Sequence, residues 1–102
     1  MIVQSICPMT EYKIYVEMKQ RSFDFIEESF ECGLTVVGGR GLWVYEGEAE
    51  VEDSHVITII SDDITMRSQI EKFCDDYAEE FRQEQIIWTE QVVNMISREY
   101  RR

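Results

Sequence analysis

The sequence predicts an α+β fold of the ferredoxin-like kind: a β-α-β-β-α-β sandwich in which two helices cover one face of a four-stranded antiparallel sheet. Three observations predict it. In residues 62–83, Met66, Ile70, Phe73, Tyr77 and Phe81 recur at helical steps and make one apolar stripe. In residues 11–18, Tyr12, Ile14, Val16 and Met18 alternate with Lys13, Tyr15 and Glu17, the period of a strand with one buried face. In residues 50–60, the run from His55 to Ile60 is apolar on both sides, which suits a central strand.

The other elements follow in chain order. Ile2, Val3 and Ile6 suit a short strand, but Pro8 interrupts it, so residues 1–9 read as an arm held against the rest of the chain. Ser22 is a good N-cap, and Gly33 a good C′ residue, for a helix over 23–32 with Phe23, Ile26 and Phe30 facing inward. Residues 34–45 form the second strand, where Gly38, Gly39 and Gly41 mark a β-bulge or a close backbone approach. Glu46-Gly47-Glu48 is the hairpin turn into the third strand. Asp62 or Asp63 caps the helix over 62–83. Residues 85–96, with Trp88, are the fourth strand, and 97–102 are a tail with Arg98, Arg101 and Arg102. The whole chain, 1–102, reads as one domain. The sheet face away from the helices collects some of Tyr15, Trp43, Tyr45, Thr58 and Trp88, and exposed aromatic residues there predict a homodimer or a ligand.

Composition narrows the function. Hydrophobic residues make up 44% of the 102, enough for a core. The formal net charge of −11 repels nucleic acid and anionic membranes, so the expected partner is a protein with a basic surface. Cys7, Cys32 and Cys74 are isolated, no CxxC occurs and His55 is the one histidine. These do not make a zinc set, and they read as reduced thiols of a cytoplasmic protein; no metal or cofactor is expected. The start, MIVQSIC, lacks the basic and long apolar regions of a signal peptide, and no run reaches the roughly 20 apolar residues of a membrane span.

Several segments carry a family resemblance. They are Gly33-Leu34-Thr35-Val36, Gly39-Arg40-Gly41-Leu42-Trp43, Asp53-Ser54-His55-Val56-Ile57, and Tyr77 followed by Phe81-Arg82-Gln83-Glu84-Gln85-Ile86. Over residues 10–93 the chain resembles an uncharacterised family of small bacterial and phage-associated proteins, a domain of unknown function. It departs from that pattern at Arg82, where a small residue is expected, and in its cysteines. The resemblance implies the fold and assigns no activity.

Three features are candidates for chemistry. In the Gly-Arg-Gly-Leu-Trp segment, backbone N–H groups can hold an anion, Arg40 can pair with a phosphate and Trp43 can stack on a ring, with Tyr77 beside them. It lacks the dinucleotide fingerprint and the P-loop lysine, and a bulge with a surface arginine is the favoured explanation of it. His55, Tyr77, Gln83 and Glu84 are acid–base types, but no triad is visible and Cys32 and Cys74 have no histidine at motif spacing, so no catalytic residue is assigned. The third feature is acidity: Asp75, Asp76, Glu79, Glu80 and Glu84 toward one helix end, and Glu48, Glu50 and Glu52 in the hairpin. Spaced carboxylates on a small domain can imitate phosphates and occupy a basic groove; each taken alone is also an ordinary solvated charge. The leading expectation is a non-enzymatic, acidic protein-binding module, an inhibitor of phage type aimed at a nucleic-acid-binding partner. The alternative is a small-ligand binder or enzyme that uses the groove around Arg40, Trp43, Tyr77 and Glu84.

Overall fold

The computed structural model describes residues 1–101. Its elements are β1 (Ile2–Glu17), α1 (Ser22–Ser29), β2 (Thr35–Tyr45), β3 (Glu48–Ser61), α2 (Met66–Phe81) and β4 (Ile87–Tyr100). The strands lie in the order β2-β3-β1-β4, with every neighbouring pair antiparallel. This is the ferredoxin-like arrangement expected from the sequence.

The core forms where the two periodicities meet. Tyr12, Ile14 and Val16 of β1 and Ile57 and Ile59 of β3 point to one side of the sheet, and Ile26 of α1 and Met66, Ile70, Phe73 and Tyr77 of α2 close over them. Each such side chain contributes about 1.5–3 kcal/mol when fully buried, before conformational entropy is set against it. Phe25, Phe73, Tyr77 and Phe81 lock the helices together, with ring centroids 4.4–6.1 Å apart. Arg67 of α2 forks onto the Glu90 carboxylate of β4, tying the start of the helix to an edge strand.

Several expectations need correction. Residues 2–9 are not an arm but the first half of β1, in unbroken register with β4. Pro8 is tolerated because β1 pairs with β3 only from Thr10 onward, so its missing N–H lies at an open edge. Residues 97–100 continue β4 rather than forming a tail, and the Arg102 end of the expected basic cluster lies outside the described residues. Helix α1 stops at Ser29, because Phe30 turns extended to reach the core, so Gly33 is not its C′ residue. Phe23 is exposed, and the inward face is Ser22, Ile26 and half-buried Phe25. Ser22 Oγ donates to the Lys19 carbonyl at 2.8 Å instead of capping the helix. Asp63 accepts from Thr65 N and Oγ1 at 2.8 and 2.7 Å, shaping the turn before α2, which begins at Met66.

The glycines of β2 make no bulge. Gly38, Gly39 and Gly41 pair one for one with His55, Ser54 and Glu52. The turn is the pair Glu46 and Gly47, both at positive φ (51° and 80°), the backbone of a two-residue hairpin whose twist matches its strands. Trp88 lies on the helix side, opposite buried Ile14, and not on the open face.

The strands overrun one another. Residues 48–53 of β3 pair with β2 alone, and residues 2–9 of β1 pair with β4 alone. Two ribbons therefore project from opposite ends of the body, and the molecule is 56 Å long but only 26 and 25 Å across.

Candidate functional site

Where β1 ends at Glu17, the chain turns away toward α1 and leaves a gap in the sheet. Met18 N still donates to the Asp53 carbonyl at 2.8 Å, so β3 continues past the gap as one wall. The connection from α2 to β4 forms the other wall. Between them lies a groove of about 130 Å³ lined by Tyr15, Glu17, Gly41, Trp43, Gln83 and Ile87, among others. It widens to an outer mouth of about 360 Å³ that adds Glu50, Arg82 and Glu84. The floor is apolar and aromatic, and the rim is carboxylate and amide.

Trp43 is positioned by its neighbours. Its Nε1–H donates to Glu52 Oε1 at 2.7 Å, across the hairpin. The indole lies over Gly41, where a Cβ would stand in ordinary contact, 3.4 Å from Trp43 Nε1 and 3.5 Å from Glu52 Cγ. Glu17 is held from both sides: Lys19 Nζ lies 2.7 Å from its carboxylate, and the Tyr77 hydroxyl donates to its backbone carbonyl at 2.5 Å. The Lys19 hydrogen bond, partly opposed by burial and helped by Gln83, holds the Glu17 carboxyl below its ordinary pKa, so it is an anion at neutral pH.

The structure regroups the residues singled out from sequence. Trp43, Glu50, Glu52 and Glu84 come together at the groove, and Glu48 lies on the same sheet face of the hairpin. Arg40, opposite Asp53, sits on the other face of β2 by strand alternation, so it and Trp43 cannot hold one ligand. Tyr77 is fully buried behind the groove, where burial raises its hydroxyl pKa, and it supports Glu17 rather than meeting a ligand. Asp75, Asp76, Glu79 and Glu80 are exposed on the helix layer, away from the hairpin acids, and Asp76 pairs with Lys72 at 2.5 Å. Sequence reading missed Glu17 as a groove residue. Its only signal was its place on the polar side of the first strand, at that strand's end.

The remaining chemistry-bearing groups stand apart. His55 is buried on the helix side, its Nδ1 has no hydrogen-bond partner, and burial depresses its pKa. Burial pushes the Cys74 thiol up to about 11 and also raises the exposed Cys32, so neither is an activated nucleophile. Among the described residues, no group of three His, Cys, Asp or Glu is placed to hold a metal ion, and no helix is long and apolar enough to cross a membrane. An open furrow of about 420 Å³ between α1 and α2 is lined by Phe25, Glu28, Lys72, Phe73 and Asp76, but its one cation is already paired with its own Asp76.

Fold and groove together define a small ferredoxin-like domain with an aromatic, acid-rimmed cleft at the end of a central strand. The chain belongs to the family described as "Protein of unknown function (DUF3574)", whose model matches residues 15–96. No curated protein matches it. Among solved structures it is similar to a phage SAM lyase in complex with S-methyl-5′-thioadenosine, at 16% identity and a TM-score of 0.63, covering 87% of this chain and 90% of that one. It is also similar to CPII, a nitrogen regulatory PII-like protein from Thiomonas intermedia K12 bound to ADP, AMP and bicarbonate (14% identity, TM-score 0.52, 89% and 96% covered). CutA from Synechococcus elongatus PCC7942 matches at 6% identity and a TM-score of 0.57, over 95% and 85%. At these identities the likeness is one of fold.

Proposed function

We propose that the protein binds a small organic cation in the groove beside Trp43. The observation that carries this reading is the groove's lining: Tyr15, Trp43 and Ile87 below, with Glu17, Glu50, Glu52 and Glu84 around the mouth. A cation over an indole face gains about 0.5–1 kcal/mol when exposed and about 2 when desolvated. Glu50, Glu52 and Glu84 add attraction for a cation and repel an anion, while Glu17 is already paired with Lys19; Arg82 is the one cationic side chain in the lining among the described residues. The compounds in the neighbours' names differ in charge, and the S-methyl-5′-thioadenosine bound to the lyase is uncharged. ADP, AMP and bicarbonate are anions, whereas SAM carries a sulfonium; the acidic groove favours the second kind.

The test is calorimetric titration with SAM, S-methyl-5′-thioadenosine and ADP. SAM binds, the uncharged thioether binds more weakly, and ADP does not bind. Trp43→Ala and Glu52→Gln each weaken SAM about tenfold, roughly 1.4 kcal/mol. Preference for ADP, or SAM binding indifferent to Trp43→Ala, sinks the reading.

A second reading keeps the acidic surface as a face for a basic, nucleic-acid-binding protein. It is favoured by Asp75, Glu79 and Glu80, which are exposed on α2 with no ion-pair partner among the described residues. Under it, a basic nucleic-acid-binding protein is captured at low salt and released at high salt. Glu79→Lys with Glu80→Lys abolishes capture, and Trp43→Ala does not; the reverse pattern rejects it.

A further inference from the structure

We infer that a second copy of this chain completes the groove, its β1–β4 ribbon lying across the open face of the β2–β3 ribbon. The groove's role in this rests on the cation reading above; the interface itself does not.

Two-stranded ribbons are marginal in water without a third layer or strand. Here neither ribbon lies under the helices, since no residue of 2–9, 40–53 or 92–100 belongs to the buried core. The β1–β4 ribbon nevertheless carries exposed apolar side chains on its helix-side face. Ile2, Ile6, Val92, Ile96 and Tyr100 share that face by register and are 53–77% exposed. Gln4, Asn94 and Arg98 lie between them, so the face consists of exposed apolar rows separated by polar ones.

Charge names the occupant. On the same face Arg98 lies over the Tyr100 ring, 5.9 Å from its centroid, while Arg101 pairs with Glu99 at 3.5 Å. At the opposite end of the molecule, the β2–β3 ribbon presents Glu48, Glu50 and Glu52 with Trp43 and Tyr45 on its open face. Random contact between chains of net charge −11 is repulsive. The approach that charge allows sets the positive end of one copy on the negative end of the next, aliphatic side chains against Trp43 and Tyr45. Such a contact is head to tail, and it closes as a ring when the rotation permits. It brings the neighbour's Arg98 and Tyr100 to Glu50 and Glu52, walling the groove on its exposed side.

Native mass spectrometry and light scattering of the purified protein test this without any ligand. The mass is two or more times the 12.1 kDa of one chain. Ile6→Glu with Ile96→Glu lowers it to a single chain with an unchanged far-ultraviolet spectrum, because both side chains are exposed within the monomer. Arg98→Glu weakens assembly at least several-fold, and adding Glu50→Arg in the same chain restores it. A wild type that is monomeric at every concentration overturns the inference. So does an assembly that survives Ile96→Glu and is broken by Val37→Glu, which would move the contact to the sheet's open face. SAM binding undiminished in the monomeric variant overturns the completion of the groove, while assembly that persists in a protein that binds no cation rejects only the cation reading.

Discussion

Gly41 is the residue at which the Gly-x-Trp motif acquires a physical reason. Its φ is ordinary, so it is not there for a turn; the indole of Trp43 folds back over it to reach Glu52, so a Cβ would only touch the indole but a branched side chain would crowd it. Gly41→Val therefore pushes the indole off Glu52 and shifts tryptophan emission to the red. Gly38→Val, where a Cβ meets open space, leaves emission unchanged and serves as the control. His55 is the second residue with a measurable consequence. Burial lowers its folded-state pKa below 6.5, so as the pH falls the unfolded chain takes up this proton first. Its neutral form is fully compatible with the fold above about pH 6.5, and stability is lost as the pH falls from there toward the folded pKa. Chemical denaturation between pH 7.5 and 5.5, approximate bounds set by that ordinary value, follows a steeper decline in the wild type than in His55→Gln, because the carboxylates titrate in both and cancel. Equal slopes would mean that the imidazole gains a proton without leaving its site.

At the scale of elements, three non-glycine residues, Arg21, Glu46 and Arg82, stand at positive φ, and two of them make the test. Arg82 ends α2 in the left-handed conformation at φ 55° and ψ 49°. A side chain there costs about 1 kcal/mol relative to glycine, the usual C′ residue. Arg82→Gly accordingly raises stability by about that amount in urea denaturation. Glu46, at φ 51° in the first position of a turn that favours Asn-Gly, behaves the same way, and Glu46→Asn gains a few tenths of a kcal/mol, on the order of 0.5. If both changes destabilise, the two conformations are held by side-chain contacts that outweigh the backbone. The helices and the paired middles of the strands were legible in the sequence because their burial is periodic: Met66, Ile70, Phe73 and Tyr77 are buried as their spacing requires. The strand ends were not, because periodicity there has no core to answer to. Pro8 reads as an interruption until the register shows that its nitrogen faces an edge, and three glycines read as a bulge until each is seen opposite a single partner. The groove was half legible. Trp43 announced itself by its motif, but no spacing rule brings Glu17 and Gln83 to it, since that meeting depends on where β1 stops.

At the scale of the molecule, order and exposure separate along the 56 Å axis. The middle rows, such as Ile14 between Ile57 and Trp88, are covered by helices and paired on both sides, so their amides open only with global unfolding. The two ribbons have one partner strand each and no covering layer, so their amides open locally at far lower cost. In the Ile6→Glu/Ile96→Glu chain, hydrogen exchange is slow at Tyr12–Val16 and Ile57–Ile59, and fast at residues 2–9, 48–53 and 93–100. In the wild type, residues 48–53 and 93–100 gain protection together as concentration rises, because one contact covers both ends. Protection of one ribbon without the other would indicate a different occupant for each, and a wild type that exchanges like the variant would leave the apolar face of Ile2, Ile6 and Ile96 to solvent.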